Sequence, residues 1–130
     1  MPTINYGASG SGLDGEGRVT QVSAASGTNP VTSVTYSATG TTNALGSLTG
    51  VTFGSTDSDS FTFDPNTGRA LTYTYAVNSV NDKGTLTWNA NGTLGTLVVA
   101  DSLSGTSDSQ TCNYYYDDLA RLGGQGQQRV

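Results

Sequence analysis

A short turn motif recurs along this chain and constrains its fold more than any other feature. Each copy has Asp or Asn, a short interval, then Gly or Ala, a small or basic residue and usually a β-prone run. The copies are LDGEGRVTQV (13–22), TNALGSLTGV (42–51), FDPNTGRALTY (63–73), WNANGTLGTL (88–97) and YDDLARL (116–122). Their central positions lie roughly 20 to 30 residues apart, a spacing that indicates a repeat architecture. We therefore predict about five similar units.

Each motif is typical of the turn of a β-hairpin. An Asp or Asn side chain can hydrogen-bond to the backbone at the start of a turn, and Gly accepts the positive φ that closes a short hairpin. We predict that the repeat turns are built by Asp14, Gly17, Asn43, Gly46, Asp64, Gly68, Asn89, Gly92, Asp117 and Ala120. Turn formation therefore explains these aspartates without a catalytic role.

The runs between the turns alternate with a period of two residues. In ALTYTYAV (70–77) the aromatic and aliphatic residues fall on one face and the threonines on the other. The same alternation appears in SFTF (60–63) and TLTW (85–88). The predicted fold is all-β, an antiparallel meander of about nine or ten strands with no helix.

Composition limits the classes of function. The chain has 130 residues, room for one domain, and its net charge is −5, which argues against a nucleic-acid partner. The longest apolar run, LVVA (97–100), is far too short to span a membrane. Cys112 is the single cysteine, so no intrachain disulfide can form.

The residues that catalysis and metal binding require are scarce. Without His, and with one Cys, the chain lacks the common arrangements for nucleophilic catalysis, so we expect no enzyme activity and no cofactor. The loops STDSDS (55–60) and SLSGTSDS (102–109) offer oxygen atoms but not the spacing of a calcium loop, and we expect solvated hairpin loops and no metal site.

The aromatic residues leave two interpretations open. Most of them share a face with Leu or Val, which indicates a core or a subunit interface. An exposed aromatic row would instead form a sugar-stacking platform, and a glycan would then be the partner. The candidates for sugar stacking are Tyr36, Tyr73, Tyr75 and Trp88.

The segments YDDLARL, FDPNTGRALTY and LDGEGRVTQV resemble the YD-repeat family, also called rearrangement-hotspot (RHS) repeats, whose signature is Tyr-Asp-x-x-Gly-Arg-Leu. The resemblance covers nearly the whole chain, although Ala120 replaces the Gly and Ser47 and Thr93 replace the Arg. We assign residues 1–122 to one repeat domain of about five units and residues 123–130 to a Gly/Gln-rich C-terminal tail.

The resemblance implies tandem hairpins that wind into a continuous spiral sheet. In the large bacterial toxins of this family the sheet forms a hollow shell, and related repeats occur on cell surfaces and are associated with carbohydrate binding. Some members have a self-cleaving site built on paired Asp-Pro-x-Gly motifs. Here DPNTG (64–68) has one residue too many and no second copy, so that activity is not carried over. A secreted or cell-surface location in a bacterium is the implied expectation.

The predicted sheet has edges that need partners. The last strand, QTCNYYY (110–116), is expected to lack a neighbour because the tail offers only Val130 as an apolar residue. The hypothesis is that the N-terminal strand of one copy completes this edge on the next. The expected assembly edges are Thr3, Ile4, Asn5, Tyr6, Tyr114, Tyr115 and Tyr116.

The sequence thus favours a structural, non-catalytic protein that self-assembles into a filament, ring or shell. One alternative is a carbohydrate-binding module of the cell surface. The other is a fragment of the encapsulating shell of an RHS polymorphic toxin.

Overall fold

The computed structural model describes residues 4–6, 12–37 and 46–129, with side chains described for residues 12–37 and 46–126. These residues form ten strands and no helix, which confirms the predicted all-β fold. The strands are β1 (Ile4–Tyr6), β2 (Val22–Ala24), β3 (Val31–Tyr36), β4 (Leu48–Phe53), β5 (Asp57–Phe63), β6 (Ala70–Val77), β7 (Val80–Trp88), β8 (Leu94–Asp101), β9 (Asp108–Tyr116) and β10 (Leu122–Arg129).

All ten strands belong to one antiparallel sheet in which each strand pairs with the next along the chain. The pairing begins at Ile4 opposite Ala24 and ends at Arg129 opposite Gln110. Strands β1 and β10 are therefore the two edges of the sheet that the structure describes. Within the described residues, no helix is long and apolar enough to cross a membrane.

The C-terminal segment differs from the prediction. Residues 123–129 are not a tail outside the domain, because they continue β10, which pairs with β9 from Leu122 opposite Tyr116 to Arg129 opposite Gln110. The segment has few apolar residues, but backbone pairing does not require them. Tyr114, Tyr115 and Tyr116 consequently lie on an interior strand, and the open edge is β10. At the other edge, Ile4, Asn5 and Tyr6 form β1, and Thr3 lies outside the described residues.

Strand register separates the two faces of the sheet as the alternation predicts. Residues directly opposite each other in neighbouring strands share a face. The aromatic face contains two rows across the middle strands, Phe61–Tyr73–Gly84–Val99 and Leu86–Leu97–Cys112. The opposite, threonine face contains Thr62, Thr72, Thr85 and Thr111, and the hydroxyl oxygens of Thr62 and Thr72 lie 2.6 Å apart in a hydrogen bond.

No second layer covers either face within the described residues. Cys112 is the one buried apolar side chain among them, at 7% exposure, and none of their side chains is less than 2% exposed. The chain has an accessible surface of 8167 Å², whereas a compact monomer of 13.3 kDa exposes about 6,500 Å². The apolar side chains are therefore half-buried within one layer instead of enclosed in a core.

Gly84, in the middle of β7, shows how packing is achieved within a single layer. It lies directly opposite Tyr73, whose ring covers it, so that Gly84 is buried although its side chain is a hydrogen. A Cβ at Gly84 would collide with the ring atoms of Tyr73. The ring of Tyr73 also contacts that of Tyr75, with centroids 5.1 Å apart. An aromatic ring laid over a glycine on a neighbouring strand is a known way to restore packing at that position.

We predict that Gly84→Val lowers the free energy of unfolding by about 1–3 kcal/mol, because the added methyl groups displace Tyr73. The matched control is Thr85→Val, which adds the same side chain one residue later on the exposed threonine face and is expected to change stability by less than about 0.5 kcal/mol. Urea unfolding followed by Trp88 fluorescence measures both. Equal stabilities of the two variants would contradict the packing role of Tyr73.

Candidate functional site

The repeat turns that the structure describes lie along one end of the sheet, here called the turn edge, which comprises the described residues 14–18, 37, 46–47, 64–69, 89–93 and 117–121. The structure places the predicted glycine positions of this edge in the left-handed region. Their φ values are 80° at Gly17, 75° at Gly46, 71° at Gly68, 90° at Gly92 and 57° at Ala120. Each hairpin at this edge is therefore closed by a residue with a positive φ, a backbone conformation that favours glycine.

The turn aspartates cap their own turns. Asp64 accepts hydrogen bonds from the N–H groups of Thr67 (2.7 Å) and Asn66 (2.9 Å), and Asp117 accepts one from the N–H of Arg121 (2.9 Å). These bonds lower the pKa of both carboxyls, chiefly through the N–H of Thr67 at Asp64 and of Arg121 at Asp117. A carboxylate whose pKa is lowered on folding stabilises the fold above about pH 4 and loses that effect as the pH falls.

Asn89 caps the fourth turn with its backbone and side chain together. Its N–H donates to the carbonyl of Thr93 (2.9 Å), and its amide nitrogen donates to the hydroxyl of Thr93 (3.0 Å). The equivalent position in the second turn is Ser37, whose N–H donates to the carbonyl of Ser47 (2.9 Å) as that of Asp14 does to Arg18. The predicted turn residue Asn43 lies outside the described residues. The sequence motif does not identify Ser37, because Ser37 and Gly46 are farther apart in the sequence than the equivalent residues of the other turns.

Aromatic side chains tie three of the hairpins to the hairpin before them, while Phe63, directly before the third turn, has no donor for such a bond. The hydroxyl of Tyr36 donates to the carbonyl of Val19 (2.9 Å), the indole N–H of Trp88 to that of Ala70 (2.7 Å) and the hydroxyl of Tyr116 to that of Leu94 (3.0 Å). In each case the aromatic residue directly precedes a turn, and the carbonyl belongs to the residue directly after the previous turn. These contacts are called the aromatic ties below.

Two arginines stack on tie residues of the next unit. The guanidinium of Arg18 lies 4.4 Å from the ring centroid of Tyr36, and that of Arg69 lies 5.7 Å from that of Trp88. The same guanidinium groups pass close to the glycines of the next turns. A Cβ at Gly46 would lie 3.2 Å from Nη1 of Arg18, and one at Gly92 would lie 2.5 Å from Nη2 of Arg69. Glycine thus suits these positions through φ, and a Cβ there would require the end of the arginine side chain to shift.

All four predicted sugar-stacking residues contact other groups of the chain, and Tyr75 contacts the rings of Phe61 and Tyr73. Tyr36 lies under Arg18, Trp88 faces Arg69, and Tyr73 covers Gly84. Tyr75 is the exposed member of the set, at 41%. Next to Trp88, an open cavity of about 480 Å³ is lined by side chains of the third and fourth turns, including Asp64 and Arg69. The structure therefore does not bring the four aromatics together as one free platform.

A row of carboxylates crosses the aromatic face near the opposite end of the sheet. The register places Asp82 beside Tyr75 on one side and Asp101 on the other, and Asp108 follows Asp101. Burial, and then the negative charge of Asp101, raise the pKa of Asp82, whose Oδ1 is buried without a hydrogen-bond partner among the described residues.

The part of the chain that the structure describes contains no group of three or more His, Cys, Asp or Glu side chains arranged to hold a metal ion.

Comparisons with known proteins do not assign this chain to a family. No protein-family model matches the sequence, and no curated protein matches it either. The turn edge, with its aspartate caps, aromatic ties and stacked arginines, is therefore interpreted from its geometry. It joins hairpins to one another, and two of its arginines, Arg18 and Arg121, pair with aspartates of their own turns.

We predict that Ala120→Gly raises the free energy of unfolding by about 0.5–1 kcal/mol. A side chain in the left-handed region costs about 1–2 kcal/mol, and the added freedom of Gly in the unfolded chain offsets part of the gain. The reverse control is Gly17→Ala, where a Cβ meets no atom within 4 Å, so that only the backbone conformation is tested. Urea unfolding of both variants should show opposite changes, and a loss of stability in Ala120→Gly would contradict the assignment.

We predict that Asp82→Asn stabilises the fold at pH 7 and that the gain shrinks as the pH falls to about 4. Because the pKa of Asp82 is raised on folding, its protonated form is favoured in the folded chain, and the resulting stability is lost as the pH rises through the raised pKa. The exposed Asp118, replaced by Asn, controls for the loss of one charge. Urea midpoints between pH 3 and pH 8 measure the effect, and a gain that is constant with pH would argue against it.

Proposed function

We propose that this protein is a structural, non-catalytic β-repeat that self-assembles through its sheet edges into a filament, ring or shell. The observation that carries the proposal is a single ten-stranded sheet with two open edges and no covering layer among the described residues. A lone sheet with open edges presents unpaired N–H and C=O groups that can pair with another chain.

Strand direction supports a joint between β10 of one copy and β1 of the next. Odd-numbered strands run one way and even-numbered strands the other, because every pairing within the sheet is antiparallel. A β1 strand placed beside β10 would therefore continue the same antiparallel order, with the turn edges of both copies at the same end. Such a contact joins two different surfaces and propagates until it closes into a ring or continues as a filament.

The composition of β10 also supports this joint. Of the features by which edge strands avoid pairing, LGGQGQQR has a register shift between Leu122 and Gly124 and one charge, Arg129, but neither Lys nor Pro. One consideration argues against this joint. The resemblance to YD-repeat proteins is also compatible with a continuous sheet within one longer chain, and such a sheet needs no contact between copies.

Carbohydrate binding receives less support from the geometry. Tyr36, Tyr73 and Trp88 already contact Arg18, Gly84 and Arg69, so a glycan would have to displace these groups. Edge pairing requires no such displacement, and we therefore favour assembly.

We predict that the purified chain forms larger species as its concentration rises, and that Gly124→Lys on β10 shifts this assembly to higher concentration. A Cβ at Gly124 meets no atom within 4 Å, so the substitution adds a charge to the edge strand without a clash. The matched control is Thr85→Lys on interior strand β7, which should assemble like the wild type. Sedimentation velocity and electron microscopy across a concentration series measure the size and form of the species.

A 13.3 kDa monomer at every concentration would overturn the assembly proposal. That result would favour a sheet that is completed by other parts of a longer chain. If Gly124→Lys instead assembled at the same concentrations as the wild type, the contact between copies would lie away from β10.

A further inference from the structure

The aromatic ties show which residues meet at three of the joints between consecutive hairpins. A residue directly after one turn lies beside the aromatic residue directly before the next turn, as in Val19 with Tyr36 and Ala70 with Trp88. Leu94 and Tyr116 form the third such pair. All six residues are half-buried. Contact between consecutive hairpins therefore covers both members of each pair.

The two edges of the sheet each carry one unmatched half of such a joint. Leu122 directly follows the last turn and is 58% exposed. Leu13 directly precedes the first turn and is 47% exposed. These positions correspond to the half-buried Leu94 and Tyr116 inside the sheet. The exposure of the two leucines follows from their place at β10 and before β2, where the described chain supplies no further hairpin.

Arg121 is the third unmatched element. Its Nε lies 2.7 Å from Oδ2 of Asp117, as that of Arg18 lies 2.6 Å from Oδ2 of Asp14. The side chain of Arg18 is 30% exposed because Tyr36 lies beneath it, whereas that of Arg121 is 73% exposed. Arg121 is thus held by its own turn in the same way as Arg18, and no ring among the described residues stacks on it.

Gly17 is the position against which an arginine from a second copy could lie. In the second and fourth turns, the equivalent glycines Gly46 and Gly92 lie against the guanidinium group of the preceding turn. At Gly17 a Cβ would meet no atom within 4 Å. The first turn therefore has the glycine that admits an arginine, while the described chain has no turn before it to provide one.

We propose that Arg121 and Leu122 of one copy dock on Leu13 and Gly17 of a second copy, so that the joint between copies repeats the joint between hairpins. The inference rests on the proposed self-assembly and names its contact residues. A second copy is the partner that fits, because both halves of the joint occur on this one molecule, at opposite edges and at the same end of the sheet.

The joint between copies is expected to be weaker than those within the chain. Leu13 offers apolar surface to Leu122 and to the methylene groups of Arg121, but it has neither the ring that stacks under Arg18 nor the donor of the aromatic ties. Assembly through this joint is consequently reversible and depends on concentration.

The test is to supply the missing ring with Leu13→Tyr. A tyrosine there can stack under Arg121 and donate to the carbonyl of Leu122, and we expect the concentration at which half of the chain is assembled to fall about tenfold. The matched control is Leu103→Tyr, which changes a leucine of similar exposure, 44%, at the opposite end of the sheet. Adding Arg121→Gln to Leu13→Tyr should remove most of the gain. Sedimentation velocity measures all four proteins.

The outcomes separate this inference from the proposal on which it rests. If the wild type assembles and Leu13→Tyr behaves like Leu103→Tyr, this joint is wrong and self-assembly through another contact stands. If the wild type and Leu13→Tyr both stay monomeric at every concentration, the joint and the self-assembly are both wrong. A tenfold gain that depends on Arg121 supports both. Urea unfolding of each variant, at a concentration below assembly, checks that its fold is intact.

Discussion

Each strand of this protein is held mainly by its neighbours in the same sheet, because no second layer covers either face among the described residues. Cross-strand pairs and turns must then provide the stability that a buried core provides elsewhere. The ring of Tyr73 over Gly84 and the hydrogen bond between Thr62 and Thr72 show this on the two faces. Stability is consequently distributed along the sheet as a series of nearest-neighbour contacts, as in other repeat architectures.

The turn edge shows how one contact constrains the sequence of the next unit. Where a turn carries Arg, as at Arg18 and Arg69, the following turn has Gly at its left-handed position, and the guanidinium lies against that glycine. Where the second and fourth turns carry Ser47 and Thr93 instead, the following turns have Gly68 and Ala120. A threonine is too short to occupy the space that an arginine fills, so a Cβ is tolerated there and only the backbone strain remains.

The parts of this structure that the sequence predicts are those governed by local chemistry. Gly68 and Gly92 are recognisable because turn geometry demands a positive φ within a few residues of an Asp or Asn. The tie between Trp88 and Ala70 is not recognisable in this way, since it joins residues 18 positions apart and depends on strand register. The sequence does not predict strand β10 for a different reason, because the Gly and Gln residues of this strand pair through the backbone and show no apolar alternation.

The charges on the aromatic face favour growth of the sheet at its edges over stacking of two sheets face to face. Asp82, Asp101 and Asp108 lie in one row on that face, and the pKa of Asp82 is already raised by burial and by Asp101. A second copy laid with its own aromatic face over this row would take more of these carboxylates out of water and add carboxylates of its own, which is unfavourable. Pairing at β1 and β10 buries none of these carboxylates further. A sheet whose face resists cover and whose edges lack Lys and Pro is therefore suited to extension in its own plane.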